Sequence, residues 1–338
     1  MQAVPKATIK EVAAEAGVST ATVSRVLNDS GYVSPEVKER VRAAMGKLRY
    51  RPSAIARSLK QDRTHMIGVL VPDISNPYFM EMSRGIEDVV GQEGFQLTFC
   101  SSDENPDKEK RLLQLLGEKR VDAIVLATAG GGADTVHALA EHGIPVVLID
   151  RRLEGKGGKR EFDLVAEDNS EGAYRLAMRL LEDGHTRIGI VNGPAHATTG
   201  RDRLGGVMKA LREYGLDGKP PVYNGDFSTE GGIRAVKAFL QEQPRPTAIL
   251  SLNNRMSFGV LVELVRSGLR IPDDMAVASF GEVEAGRLLR SPGLIYIDQR
   301  PYDMGHRAGE LLLERIQGAE PQRRAVKEIF SNEVKRMD

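Results

Sequence analysis

From Met66 onward the chain alternates between two textures. Short runs of aliphatic and β-branched residues occur at Met66–Val71, Phe95–Cys100, Ala123–Ala127, Val146–Ile149, Arg187–Val191, Ala248–Leu252, Ala276–Phe280 and Ile295–Ile297. Between them lie longer stretches of helical periodicity near 78–93, 107–118, 134–142, 170–183, 201–214, 230–241, 255–267 and 303–317. Short apolar runs suit strands buried on both faces, and their regular alternation with amphipathic helices implies parallel sheets built from βαβ units. Such a set closes into a TIM barrel or opens into two doubly wound lobes. The loop Arg152–Arg160, near the middle of the chain, favours two lobes, with a ligand cleft where strand ends and lobes meet.

The first 65 residues read differently. Thr8 and Glu11 have the spacing of a capping box, and Ile9, Val12, Ala13 and Ala16 form one helical face. Gly17 ends that helix. Ser19 caps a second from about Thr20 to Leu27, with Val23, Val26 and Leu27 apolar and Thr20, Ala21, Ser24, Arg25 and Asn28 pointing elsewhere. Ser34-Pro35 opens a third. A helix, a glycine turn and a helix of mixed polarity make the helix-turn-helix arrangement that lays its second helix in the DNA major groove. The charge balance supports this once it is divided. The whole chain has 47 Lys and Arg against 47 Asp and Glu, which alone argues against a nucleic-acid binder. Residues 1–65, however, hold twelve basic and six acidic side chains, and residues 66–338 hold 35 and 41. A basic head on an acidic body suggests two tasks in one chain.

Other classes fall away. No apolar run approaches the ~20 residues of a membrane span, and the start has no apolar core of a secretory signal, so a cytoplasmic protein without membrane contact is expected. Cys100 is the single cysteine, and His137 and His142 have no cysteine partner, so no metal site is expected. No GxGxxG or GxxxxGK[ST] fingerprint occurs in the required context and no Ser/His/Asp arrangement at motif spacing, so neither an enzyme nor a cofactor is expected.

Thr8–Asn28, TIKEVAAEAGVSTATVSRVLN, closely resembles the DNA-binding signature of the lactose-repressor (LacI) family of bacterial regulators. Tyr50–Leu59 resembles that family's hinge, and IGVLVPDISNPYF, DNSEGAY, GHTRIGIVNGP and GLRIPDDMAVASF resemble its core. The resemblance implies an all-α helix-turn-helix head at 1–50, a hinge helix and linker at 51–65, and an α/β core at 66–338. That core would have two doubly wound parallel-sheet lobes like those of periplasmic binding proteins. Lobe one would take about 66–166 and 296–324, lobe two about 167–295 and 325–338, with three crossings between them.

The resemblance also implies roles. Thr20 and Ala21 stand where the family reads operator bases, Ala21 through its methyl group alone, and Arg25 one turn later suits a guanine edge. Thr8, Ser19, Ser24 and Asn28 would hold phosphates or orient the helix. Leu59 matches the leucine that family members wedge into a minor-groove step. Tyr78, Phe79, Asp150, Thr199, Arg201, Arg203, Phe227 and Asn254 match effector-cleft positions. Asn254 replaces an acidic residue common in the family while Arg201 and Arg203 remain. Paired arginines suit a carboxylate or phosphate, so a sugar acid or sugar phosphate is expected over a neutral sugar. The expected protein is a homodimer on a palindromic double-stranded operator, most simply a repressor, controlled by a small sugar-like effector. The tail Ala325–Asp338 lacks a leucine heptad, which argues against tetramers. The competing readings are a phosphoprotein corepressor in place of the small ligand, and a periplasmic-type solute-binding protein.

Overall fold

The computed structural model describes residues 7–50, 63–155, 161–216, 218–289, 293–318 and 324–337. The chain divides after His65 into two compact units. In the first, α1 (Ile9–Ala16), α2 (Thr20–Leu27) and α3 (Pro35–Lys47) pack through Val12, Ala13, Ala16, Val23, Val41 and Ala44. Local chemistry sets each boundary. The Thr8 amide donates to the Glu11 carboxylate at 2.6 Å and the Glu11 amide to the Thr8 hydroxyl at 3.4 Å. Gly17, at φ 64°, turns the chain out of α1, and Ser19 and Ser34 cap the next two helices.

The second unit contains two separate sheets, which excludes the barrel. The strands are β1 (Met66–Val71), β2 (Gln96–Ser101), β3 (Ala123–Leu126), β4 (Val146–Ile149), β5 (Asp163–Glu167), β6 (Ile188–Asn192), β7 (Val222–Asn224), β8 (Ala248–Ser251), β9 (Ala276–Ser279), β10 (Ile295–Asp298), β11 (Lys327–Phe330) and β12 (Glu333–Arg336). One sheet runs β11-β5-β4-β3-β1-β2, the other β12-β10-β9-β8-β6-β7, and all neighbours are parallel except the antiparallel pair β10 and β12. The helices are α4 (Pro77–Val90), α5 (Pro106–Glu118), α6 (Ala133–Glu141), α7 (Asn169–Glu182), α8 (Thr198–Glu213), α9 (Thr229–Phe239), α10 (Asn254–Arg266) and α11 (Pro301–Gln317). Each sheet is buried on both faces, between two clusters of aliphatic side chains. On lobe one, α4 and α11 touch backbone to backbone. A Cβ on Gly305 would lie 1.8 Å from the Met82 carbonyl oxygen, and one on Gly85 2.2 Å from that of Tyr302.

The chain crosses between lobes three times, after β5, after β10 and between β11 and β12. Two expected boundaries need correction. Residues 296–298 are expected in lobe one, yet they belong to β10, which pairs with β9 in lobe two. The tail is expected in lobe two, yet β11 pairs with β5 in lobe one and only β12 joins lobe two. The reason is one of pairing: each lobe's sheet takes one edge strand from the tail.

Candidate functional site

On the head, α2 buries Val23 and packs Val26 and Leu27 partly against the core, which leaves its opposite side open. Thr20, Ala21, Arg25 and Asn28 are exposed and Ser24 is half-buried. Steps of one and four residues put them on one side of the helix. Asn28 donates from its amide to the Ser24 hydroxyl at 3.3 Å. The Thr8 and Ser19 oxygens are engaged in capping, Ser19 accepting the Thr22 amide at 3.1 Å. Those two residues therefore fix the helix ends whatever else they touch. Leu59, and the hinge over 51–62, lie outside the described residues.

In the core, a cavity of about 280 Å³ opens between the carboxyl ends of the two sheets. That is the position open α/β sheets reserve for ligands. Lobe one supplies Asp73, Asn76, Tyr78 and Phe79 after β1, Asp103 and Glu104 after β2, and Asp150 and Arg151 after β4. Lobe two supplies Thr199 and Arg203 from α8, Asp226 and Phe227 after β7, and Asn253 to Arg255 at the start of α10. Gln299, on the second crossing, completes the wall. Five of these residues, Asp103, Glu104, Asp150, Asp226 and Phe227, hold left-handed backbone at φ 51° to 64°. Non-glycine residues in that region carry strain, which collects at functional sites. Gly193 makes room for Phe227, because a Cβ there would lie 2.0 Å from the ring.

The cleft charges are organised in pairs. Arg151 donates to both oxygens of Glu104 at 2.7 Å and lies over the Phe227 ring at 5.2 Å. Arg203 is buried, 3.9 Å over Phe280, and donates to Asn169 Oδ1 at 2.6 Å and the Leu252 carbonyl at 2.9 Å. Burial pushes its pKa down while Asp150 and Glu167 hold it up. The Tyr78 hydroxyl donates to Asp150 at 3.0 Å, and burial, then the Asp150 charge, pushes the phenol well above its usual range. Two sets of contacts bridge the lobes. Asn76 and Asn254 exchange amide hydrogen bonds of 3.2 and 2.8 Å beside Asp73 and Arg255 at 3.8 Å. Elsewhere Arg152 pairs with Asp202 at 2.5 Å and Arg201 with Glu154.

Five buried side-chain atoms have no hydrogen bond among the described residues: Arg151 Nε, Glu167 Oε1, Asn192 Oδ1, Thr199 Oγ1 and Arg255 Nε. Arg151, Thr199 and Arg255 line the cavity. Glu167 accepts from the lining residue Gln299 at 2.5 Å. The Asn192 carbonyl holds the Gly225 amide, directly before Asp226. Orphaned buried polar groups are rare in native proteins, and their gathering at one cleft marks where a ligand completes them.

Seven of the eight expected effector residues, Tyr78, Phe79, Asp150, Thr199, Arg203, Phe227 and Asn254, line this cavity. Arg201 does not. It is exposed and bound to Glu154 and to the carbonyls of Ala195 and His196 at 3.0 and 3.1 Å. Residues two apart on a helix are turned about 200° from one another, so Arg201 and Arg203 cannot face one cavity. The paired-arginine premise for an acidic ligand fails with it. Asp73, Glu104 and Arg151 escape the sequence reading although each lies within three residues of a strand's carboxyl end, which is the signal that marks them.

Comparison with known proteins gives a family for both units. Residues 8–53 match the model described as bacterial regulatory proteins, lacI family. Residues 64–332 match that of periplasmic binding proteins and the sugar binding domain of the LacI family. The chain is 35% identical over 320 residues to the HTH-type transcriptional repressor PurR of Aliivibrio salmonicida, covering 94% of this chain and 95% of that one. It is 37% identical over 307 residues to the ribose operon repressor of Bacillus subtilis, covering 91% of each. A LacI-family transcriptional regulator structure from Silicibacter pomeroyi superposes with a TM-score of 0.81 at 26% identity, covering 98% of both chains.

Proposed function

The chain belongs to the LacI family of bacterial DNA-binding regulators, and from that premise we propose that its cleft takes a neutral polyhydroxylated sugar as effector. The observation that carries this reading is the set of unsatisfied buried atoms on three lining residues, Arg151 Nε, Thr199 Oγ1 and Arg255 Nε. Arg151 Nε and Arg255 Nε face Asp150 and Asp73 at 3.6 and 3.8 Å, beyond hydrogen-bond distance, so a ligand acceptor can complete them, and Thr199 Oγ1 serves as donor or acceptor. A sugar hydroxyl is both donor and acceptor, and the Tyr78, Phe79 and Phe227 rings suit the apolar face of a pyranose or furanose. A sugar acid carries the same hydroxyls, so the choice of a neutral ligand rests on charge. Charge agrees: the lining holds Asp73, Asp103, Glu104, Asp150, Asp226 and Glu230 against Arg151, Arg203 and Arg255. A cavity near the lower edge of the ~300–1,000 Å³ of small-molecule sites favours a single ring.

In this reading the protein is a transcriptional repressor that binds a palindromic operator as a homodimer in the cytoplasm. Thr20, Ala21 and Arg25 read bases, Ser24 and Asn28 support phosphate contacts, and Leu59 wedges a minor-groove step. The effector acts by binding one lobe arrangement better than another, through the bridges Asn76–Asn254 and Asp73–Arg255 that close over the cavity. Calorimetry with D-ribose, D-glucose and D-glucuronate tests the ligand class. Binding of a neutral sugar is expected; binding of glucuronate alone rejects it. Leu59→Ala should reduce operator bending in a circular-permutation assay, and an unchanged bend removes the wedge.

A further inference from the structure

The two bridges between the lobes differ in chemistry and in place. The one joining α4 to α10 is neutral at its core, where Asn76 and Asn254 exchange amide hydrogen bonds of 3.2 and 2.8 Å, with Asp73 and Arg255 3.8 Å apart beside it. The other joins the loop after β4 to the start of α8 and is ionic. Arg152 donates to both oxygens of Asp202 at 2.5 and 3.1 Å, and its backbone amide donates to the Thr198 hydroxyl at 3.3 Å. Two residues on, Glu154 accepts from Arg201. Each lobe thus offers one cation and one anion, and both pairs run from lobe to lobe. The bridges lie on opposite sides of the molecule. In lobe one, α4 packs Phe79 and Met82 on one face of the sheet, while Leu153 packs on the other. In lobe two, α10 and α8 likewise pack on different faces. The ionic residues also interleave with the cavity lining: Asp150 and Arg151 directly precede Arg152, and Thr199 and Arg203 flank Arg201 and Asp202.

We propose that Arg152, Glu154, Arg201 and Asp202 form an ionic latch that holds the lobes at this angle and so positions Arg151 and Thr199 on the two walls of the cleft. The three crossings tether the lobes but leave their angle to the contacts made across the cleft. All four latch side chains are part-exposed, so dissolved salt screens them, whereas a bond between neutral amides does not respond to screening. Each lobe is a sheet packed on both faces and moves as one piece. Loosening the latch on one side therefore loosens the Asn76–Asn254 bridge on the other. Ionic strength becomes a second input to the lobe angle beside the ligand. The latch asks nothing of the ligand's chemistry, so it stands or falls apart from the sugar reading.

The test is hydrogen exchange of the full-length protein, read by mass spectrometry with no sugar present. Segments 150–155 and 195–203 report on the latch, and segments 73–79 and 252–256 on the far bridge. Arg152→Glu turns the attraction to Asp202 into repulsion and should speed exchange about three- to tenfold at both places, the size that two part-exposed ion pairs support. Adding Asp202→Arg restores the attraction and should return both places to the wild-type rate. Raising NaCl from about 0.01 M to about 1 M, which shortens the screening length from roughly 30 to 3 Å, should speed wild-type exchange at both places. The double variant Arg152→Met with Arg201→Met should exchange fast at either salt concentration. Faster exchange confined to 150–155 and 195–203 would mark a local surface contact and overturn the latch. Failure of Asp202→Arg to rescue, or far-bridge exchange that ignores both charge and salt, overturns it as well.

Discussion

Arg201 and Arg203 stand two positions apart on α8, and their replacement by methionine should have very unequal consequences. Arg203 makes two charge-assisted hydrogen bonds, to Asn169 and the Leu252 carbonyl, and stacks on Phe280. Its loss leaves Glu167 buried without a nearby cation, while Asp150 keeps only Arg151, 3.6 Å away and shared with Glu104. Breaking one side of a buried ionic set costs about 3–5 kcal/mol, because the remaining charge is left uncompensated. In a unit of this size each kcal/mol lowers Tm by roughly 2–4 °C, so Arg203→Met should melt about 6–20 °C below wild type. Arg201 is an exposed residue paired with a half-exposed Glu154, and such pairs contribute at most about 1 kcal/mol. The chain has no tryptophan, so urea unfolding followed by far-ultraviolet circular dichroism is the assay. The Arg203 deficit should shrink at pH 5, where Glu167, whose carboxyl burial pushes up to about 7, is protonated. Equal losses for the two variants, or an Arg203→Met deficit that ignores pH, would refute the description of this cluster.

Other outcomes follow from the same geometry. The folded-state pKa of Glu167 lies at about 7 against an ordinary 4.5, so wild type should lose stability as pH rises between those values. Relative to Glu167→Gln the loss approaches about 3 kcal/mol, and a constant gap in urea titrations at pH 5 and 8 contradicts it. Ser19→Ala removes the α2 cap and should cost the head about 1 kcal/mol, read as a lower melting temperature of the head transition. Arg25→Ala should lose about 1–3 kcal/mol of operator discrimination in gel shifts, and an equal loss on scrambled DNA speaks against base reading. Gly305→Ala should destabilise lobe one despite alanine's better helix propensity, because its Cβ meets the Met82 carbonyl; unchanged urea midpoints would show that α4 and α11 can part freely.

The helices and inner strands were readable because burial on both faces leaves continuous aliphatic runs. β5, β7, β11 and β12 were not. β5 begins and ends in Asp163 and Glu167, both buried, and Asp163 is held by Arg315 and the Val326 amide, partners more than 150 residues away in the chain. A pattern of apolar residues cannot announce a strand whose charges are neutralised by tertiary contacts. β11 alternates exposed and half-buried positions and β12 half-buries Val334 alone, as edge strands do, which makes the tail look like solvated chain. In the cleft, position after a strand was the better guide. It marks Asp73, Glu104 and Arg151, whereas residue type alone paired Arg201 with Arg203 across a helix face they do not share.

The two tail strands also bear on how the protein is made. β5 finds its neighbour β11 about 160 residues later, and β10 its outer partner β12 nearly 40 later. At about 5–20 residues per second a ribosome needs roughly 8–32 s to pass from β5 to β11. Throughout that interval the nascent lobe one exposes an unpaired sheet edge at β5, a hazard for misassociation. Both lobes receive their last strand within the final dozen residues of the chain, so the tail makes them mature almost together.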